Sequence, residues 1–145
     1  MYEEEQQRPN LMPTTLRNIQ EKDAVDNYRR WGFEEVNEKL RNGTALNKEE
    51  MQMVNIIDRV ISRTKLKDDI IVYRGTQYKP SAINKGYSST SRNITTAEHF
   101  SSGMYGSKHL YAYRIPKGTN VLIIGGAEDE IILPRNFNLG KYKIK

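Results

Sequence analysis

The chain has 145 residues, a formal net charge of +5 and no cysteine, with 37% hydrophobic and 28% charged residues. That length suits one domain with a single core, residues 1–145, and the missing cysteines exclude disulfide scaffolds, thiolate metal sites and cysteine nucleophiles. Two histidines are too few for a histidine-based metal centre, no apolar run is long enough to cross a bilayer, and a cytoplasmic protein is expected.

Met1–Asn10 is acidic and polar and lacks the apolar stretch of a secretory signal, so residues 1–12 read as a flexible tail. Thr14 or Thr15 then offers a cap for a helix through Ile19, Ala24, Val25 and Tyr28 to Trp31, where Gly32 interrupts. Phe33–Leu40 makes a second short helix, ended by Asn42-Gly43. Asn47 caps a third, with Glu49 and Glu50 in its first turn where the helix dipole favours acids. Met51, Val54, Ile57, Val60 and Ile61 form its buried stripe.

From Ile70 onward the pattern changes to strands. Candidates are Ile70–Arg74, Tyr87–Thr90, Leu110–Ile115, Asn120–Ile124, Glu130–Leu133 and Tyr142–Ile144, divided by Gly, Pro and Asn. Thr95-Thr96-Ala97-Glu98 reads as a capping box for one short helix ending near Ser101. Helices first and strands later predict an α+β fold.

Charge is unevenly spread. Residues 1–50 hold 8 basic and 11 acidic groups, whereas residues 51–145 hold 15 and 7. A basic second half suits an anionic cofactor. Nucleic acid is the competing partner, but no Lys/Arg run interleaved with aromatics and no zinc or helix-turn-helix spacing supports it.

Three motifs in that basic half carry chemistry. Ile70-Ile71-Val72-Tyr73-Arg74-Gly75 is a buried strand ending in an arginine, a fork of donors beside a backbone that an anion can approach closely. Tyr87-Ser88-Ser89-Thr90-Ser91 is a hydroxyl-rich strand able to fix a neighbouring carboxylate. Glu128-Asp129-Glu130 precedes an apolar run, and in an extended strand both glutamates share a face while Asp129 takes the other. Paired carboxylates let one stabilise a developing cation while the other orients or deprotonates a nucleophile. His99 reads as a structural or surface residue.

Arginine, Ser-Thr-Ser and Glu-x-Glu in that order resemble the signature of the arginine-serine-glutamate class of mono-ADP-ribosyltransferases, including binary-toxin and phage-encoded catalytic domains. The likeness runs from about Ala24 to the C-terminus. Ala24–Tyr28 and Val36–Arg41 resemble the family's opening helical pair, and Tyr113–Gly118 the strand and turn before Glu-x-Glu.

The resemblance implies two small antiparallel sheets packed face to face with NAD in the cleft between them. It implies cleavage of NAD at the nicotinamide bond and transfer of ADP-ribose to an arginine of a target protein. Glu130 would stabilise the oxocarbenium-like transition state, and Glu128 would orient and deprotonate the acceptor guanidinium. Arg74 would clamp an NAD phosphate with Gly75 beside it, and Ser89 would hold Glu130 and the ribose. Thr90 and Ser91 would complete the cofactor-binding strand. Phe100 would shelter nicotinamide and Tyr28 would approach the adenine or phosphate side, core packing being the alternative for both.

No metal is implied, because the leaving group is already a cationic pyridinium. One departure stands out: where many toxin members carry a second phosphate-holding arginine, this chain reads Ser101-Ser102-Gly103-Met104, leaving Lys108 or Arg92 as substitutes. Acids at both Glu128 and Glu130 favour arginine as acceptor. An NAD glycohydrolase is the alternative activity, and an inactive binding module is opposed by the intact Arg74, Ser89 and Glu130. Action in the producing cell, or through a separate delivery partner, is expected.

Overall fold

A computed structural model describes residues 11–76, 81–99 and 109–144. Helix α1 spans Ile19–Asn27 and is capped by Asn18, whose side chain accepts from the Glu21 N–H at 2.9 Å. The expected cap at Thr14 or Thr15 is not used, and Thr14 instead bonds the backbone of Ile123. Its N–H donates to the Ile123 carbonyl at 2.9 Å and its Oγ1 accepts from the Ile123 N–H at 2.8 Å. The expected tail falls mainly on residues outside those described, and Leu11 packs on one of the core clusters.

Gly32 does not break the helix as the sequence suggested. Tyr28–Gly32 forms a π-helical turn that runs directly into α2, Phe33–Asn42. A Cβ at Gly32 would lie 2.8 Å from Met53 Sδ, so the glycine lets this turn close onto the next helix. Gly43 ends α2 in the left-handed region at φ 70°, as its sequence position predicts.

Helix α3, Lys48–Ser62, opens with a full capping box between Asn47 and Glu50. Glu50 also accepts from Lys39 Nζ at 2.7 Å, tying α3 to α2. Its buried stripe uses Met53, Val54, Ile57, Val60 and Ile61, while Met51 is 52% exposed. The stripe is shifted at its start because Met53 is the residue that meets Gly32.

Five strands, β1 (Ile70–Thr76), β3 (Ser88–Ser91), β4 (His109–Ile115), β5 (Leu122–Gly125) and β6 (Glu130–Leu133), form one antiparallel sheet in the order β4-β1-β3-β6-β5. Two short strands unforeseen in the sequence, β2 (Ile83–Asn84) and β7 (Phe137–Asn138), pair as a second sheet. Helices followed by antiparallel sheets confirm the α+β class. The expected strand at Tyr142–Ile144 is instead a 3-10 turn, Leu139–Tyr142, followed by a single bridge from Lys143 to Tyr113. Short helix α4, Ile94–His99, starts from Asn93, whose Oδ1 accepts from the Thr95 and Thr96 N–H groups.

The large sheet divides the core. Ile132 packs with Val25, Tyr28, Val54 and Ile57 of the helical side, whereas Ile131 and Leu133 pack with Val72, Ile115 and Leu139 on the other side. Strand alternation therefore turns Glu130, two residues before Ile132, toward the helices.

Glu21 anchors α1 to α3. Its carboxylate accepts from Arg63 Nη1 at 2.8 Å and from Arg63 Nη2, and the Arg17 N–H donates to it at 2.8 Å. The Arg63 hydrogen bond first, and then that of Arg17, hold its pKa down to about 2. A depressed carboxylate pKa contributes stability that is present above the unfolded value near 4.5 and is lost as pH falls toward about 2. Glu21→Gln should cost about 2 kcal/mol at neutral pH, the scale of hydrogen bonds to a charged group. Thermal melts between pH 7 and pH 2 would check this, because the variant should lose less on acidification than the parent chain.

Candidate active site

β1 and β3 pair only at Tyr73 and Ser91, so the strands separate beyond that point. Arg74 occupies the opening, its Nη1 donating to the Ser89 carbonyl at 3.0 Å. Among the described residues no carboxylate forms an ion pair with Arg74. Burial lowers its pKa, and Arg41 on α2 adds like-charge repulsion. Arg74 thus stands in the opening without a carboxylate partner among the described residues, an arrangement suited to an anion.

A cleft of about 560 Å³, linked to Arg74 through Ser89, lies between the large sheet and the π-helical turn. Glu128, Glu130 and Ser89 line its sheet wall, and Tyr28, Arg29 and Phe33 its helical wall. His99 also lines the cleft and is exposed, a surface position as its sequence suggested. The cleft is therefore bounded by the large sheet and a helical segment rather than enclosed by two facing sheets.

Glu128 and Glu130 do share the cleft, but not through extended geometry. Gly126–Asp129 is a turn, and Asp129 has φ 49°, so only Glu130 belongs to β6. Ser91 and Arg92 hold the turn. Ser91 Oγ donates to the Glu128 carbonyl, the Arg92 N–H donates to the Asp129 carbonyl at 3.1 Å, and Arg92 Nε meets both Asp129 carboxylate oxygens at 3.0 and 3.1 Å. Arg92 is thereby tied to the Asp129 side of the turn. Lys108 lies outside the described residues, and Arg41 stands near Arg74 instead.

Glu130 is 8% exposed. Burial pushes its pKa up; Arg29 counters this, and the nearby Glu128 charge adds to it. Its partner among the described residues is Arg29 Nε at 3.3 Å, not the Ser89 hydroxyl that the resemblance implied. Ser89 instead faces the Tyr28 hydroxyl. That hydroxyl also accepts from Asn37 Nδ2 at 2.9 Å, and burial raises its pKa while Asn37 and Ser89 offset part of the rise. Tyr28 is 1% exposed and stacks edge-on against Tyr87, so it is both core and cleft wall.

Three other expected cofactor contacts are placed differently. Thr90 is buried on the far face, its Oγ1 donating to the Ile131 carbonyl at 2.7 Å. Ser91 is buried and braces the Glu128 turn. Gly75 is buried in the β1–β4 ladder opposite Leu110. Thr90 and Ser91 use their hydroxyls to brace β6 and the turn before it, and none of the three residues lines the cleft. Phe100 lies outside the described residues. Arg29 and Asn37 escaped the sequence reading because their roles come from contacts with residues distant in the chain, Glu130 for Arg29 and the Tyr87 N–H for Asn37.

The family model described as ADP-ribosyltransferase exoenzyme matches residues 3–82, more than half of the chain. The chain belongs to the ADP-ribosyltransferase exoenzyme family. It is 34% identical over 138 residues to the NAD(+)--arginine ADP-ribosyltransferase EFV of Enterococcus faecalis, covering 84% of this chain but only 28% of that relative's length. Its fold is similar to Plx2a, an ADP-ribosyltransferase toxin from Paenibacillus larvae, at a TM-score of 0.63 and 24% identity, covering 82% of this chain and 74% of that one. It is also similar to exoenzyme S from Pseudomonas aeruginosa, solved with human 14-3-3 protein beta and carba-NAD, at a TM-score of 0.66 and 18% identity over 81% and 62% of the two chains. No helix among the described residues is long and apolar enough to cross a membrane.

Proposed function

We propose that this domain binds NAD as a substrate in the cleft and transfers its ADP-ribose to an arginine of a target protein, releasing nicotinamide. The observation that carries this reading is the polarity of the site. A carboxylate pair, Glu128 and Glu130, lines the cleft, while Arg74 reaches its wall by bonding the Ser89 carbonyl and has no carboxylate partner among the described residues. NAD has the matching order, with an anionic pyrophosphate and a ribose that becomes cationic as nicotinamide departs. Membership of the family and the likeness to an arginine-directed relative support the same reading.

In the reaction Glu130 places negative charge where the ribosyl cation develops, which is electrostatic stabilisation specific to the transition state. Glu130 is buried, and Ser91 braces the turn that leads into it. Glu128 is exposed at the cleft, where an incoming guanidinium can meet it. It takes a proton from that guanidinium, whose nitrogen then bonds to the ribose carbon as nicotinamide leaves with the bonding electrons. Arg74 binds phosphate. The target is a protein carrying an acceptor arginine, encountered in the cytoplasm of the producing cell or of a cell reached with a separate delivery partner.

Incubating the purified domain with NAD and agmatine tests the reading. ADP-ribosylagmatine and equimolar nicotinamide are expected, and the absence of both products would defeat it. Arg74→Lys should raise the Michaelis constant for NAD by about tenfold with the same products, since a point charge cannot reproduce a bidentate fork. Calorimetry with NAD provides the check. Unchanged affinity would make Arg74 a purely structural bridge to Ser89.

A further inference from the structure

A groove of about 720 Å³ shares no lining residue with the cleft. Its lining comes from the segment before α1 and the segment before β1, together with Ile123 of β5. Both segments are tied down. Thr14 bonds the Ile123 backbone, and Arg63 Nη2 donates to the Thr15 carbonyl at 3.1 Å. The Leu66 N–H donates to the Thr119 carbonyl at 3.0 Å, and the Gly118 N–H donates to the Leu66 carbonyl at 2.8 Å. The groove is therefore formed before any partner arrives.

Positive charge and apolar surface are combined in it. Arg17, Lys65 and Lys67 are exposed and form no ion pair among the described residues, whereas Arg63 is answered by Glu21. Asp68 is the single carboxylate of the lining. Leu66 is buried between the two lysines, which leaves both ammonium groups on the solvent side. Met12, 82% exposed, adds an apolar side chain of the adaptable kind that serves binding surfaces. No aromatic ring lines the groove, so nothing there stacks a base, and the surface suits a peptide rather than a nucleic acid. In an extended peptide, acids at every second position share one side and can meet Lys65 and Lys67 together. The residues between them stay available for apolar contact with Met12.

We propose that this groove docks an acidic, extended segment of the target protein, interleaved with apolar residues, while the acceptor arginine occupies the cleft. The proposal rests on the reading that this domain modifies an arginine of a protein. Arg17 precedes α1 and Asp26 lies near its far end, so the nine residues of the helix set groove and cleft about 14 Å apart along it. One protein surface of ordinary interface size spans both. Docking in the groove raises the effective concentration of the acceptor at the cleft without touching the chemistry. It therefore acts on a tethered arginine and not on a free guanidinium.

The test uses a fluorescent peptide of alternating glutamate and leucine, the same peptide with lysine for glutamate, and a single-stranded oligonucleotide. Anisotropy with the full chain should show binding of the acidic peptide alone, weakening with added salt. The double variant Lys65→Glu, Lys67→Glu should weaken that binding by about tenfold or more, as like charges brought together do. Its melting temperature and agmatine modification should match the parent chain, because both lysines are exposed and lie outside the cleft. An arginine joined to the acidic peptide by a flexible linker should show a lower Michaelis constant than agmatine, and the variant should remove that advantage with kcat unchanged. Agmatine modified with no peptide bound, or with peptide bound equally by the variant, would overturn the proposal and leave the proposed function standing. Tighter binding of the oligonucleotide would overturn it in favour of nucleic acid. Binding that appears only when Glu3, Glu4 and Glu5 are changed to Gln would give the groove to the chain's own acidic segment and overturn it as well. Peptide bound at the groove with agmatine left unmodified would defeat the proposed function alone.

Discussion

Changing Glu130 to Gln is expected to lower both transfer and NAD hydrolysis by about 100-fold or more, the scale of removing one preorganised electrostatic stabiliser. The amide keeps the shape of the carboxylate but not the charge that meets the ribosyl cation, so NAD affinity should change little while turnover collapses. A second consequence separates this loss from unfolding. Burial raises the Glu130 pKa, so the ionised carboxylate is destabilising to the fold as pH rises through its folded pKa. The variant should therefore melt at the same temperature as the parent chain or higher at neutral pH. The same shift predicts that activity of the parent chain is lost, on acidification, at a pH above the ordinary glutamate value near 4.5. Steady-state rates across pH, with melting curves beside them, check all three. A variant within a few-fold of the parent would remove Glu130 from the mechanism.

Glu128→Gln should divide the two reactions. Glu130 still stabilises the cation, so nicotinamide release continues, but the acceptor guanidinium loses the carboxylate that takes its proton. Transfer to agmatine should fall by about 100-fold or more, within the range of general base catalysis. Nicotinamide release and agmatine modification measured in one reaction give the ratio directly. A parallel fall of both would place Glu128 in NAD cleavage itself. The turn supports the expectation of an intact fold, because Ser91 holds Glu128 by its backbone carbonyl and Arg92 holds Asp129, leaving the Glu128 side chain free of structural bonds among the described residues.

The asymmetry between the two glutamates comes from their surroundings. Glu130 is buried against the sheet and answered by a partly exposed arginine. Glu128 is exposed at the cleft. Two carboxylates in one cleft thus differ in solvation, the condition under which they take different roles. The π-helical turn contributes to this difference, since it brings Arg29 to one glutamate and not the other.

Local chemistry made several features readable from the chain alone. The Asn47–Glu50 capping box, the left-handed stop at Gly43 and the strand Glu130–Leu133 each depend on a few adjacent residues. The order arginine, serine strand and Glu-x-Glu was likewise legible, because each motif is contiguous in the sequence. What the sequence did not decide was where side chains went once elements met. Met53 replaces Met51 in the core because Gly32 admits it, and Tyr28–Gly32 winds as a π-turn where a break was expected. Thr90 and Ser91 turn from cofactor contacts into braces because their partners, the Ile131 and Glu128 carbonyls, come from residues far along the chain. Arg92 is taken by Asp129, and Arg29 arrives at Glu130 from a segment about 100 residues away in the chain. Motif identity follows from neighbouring residues, whereas the pairing of charges across a cleft depends on distances that only packing of the helices on the sheet determines.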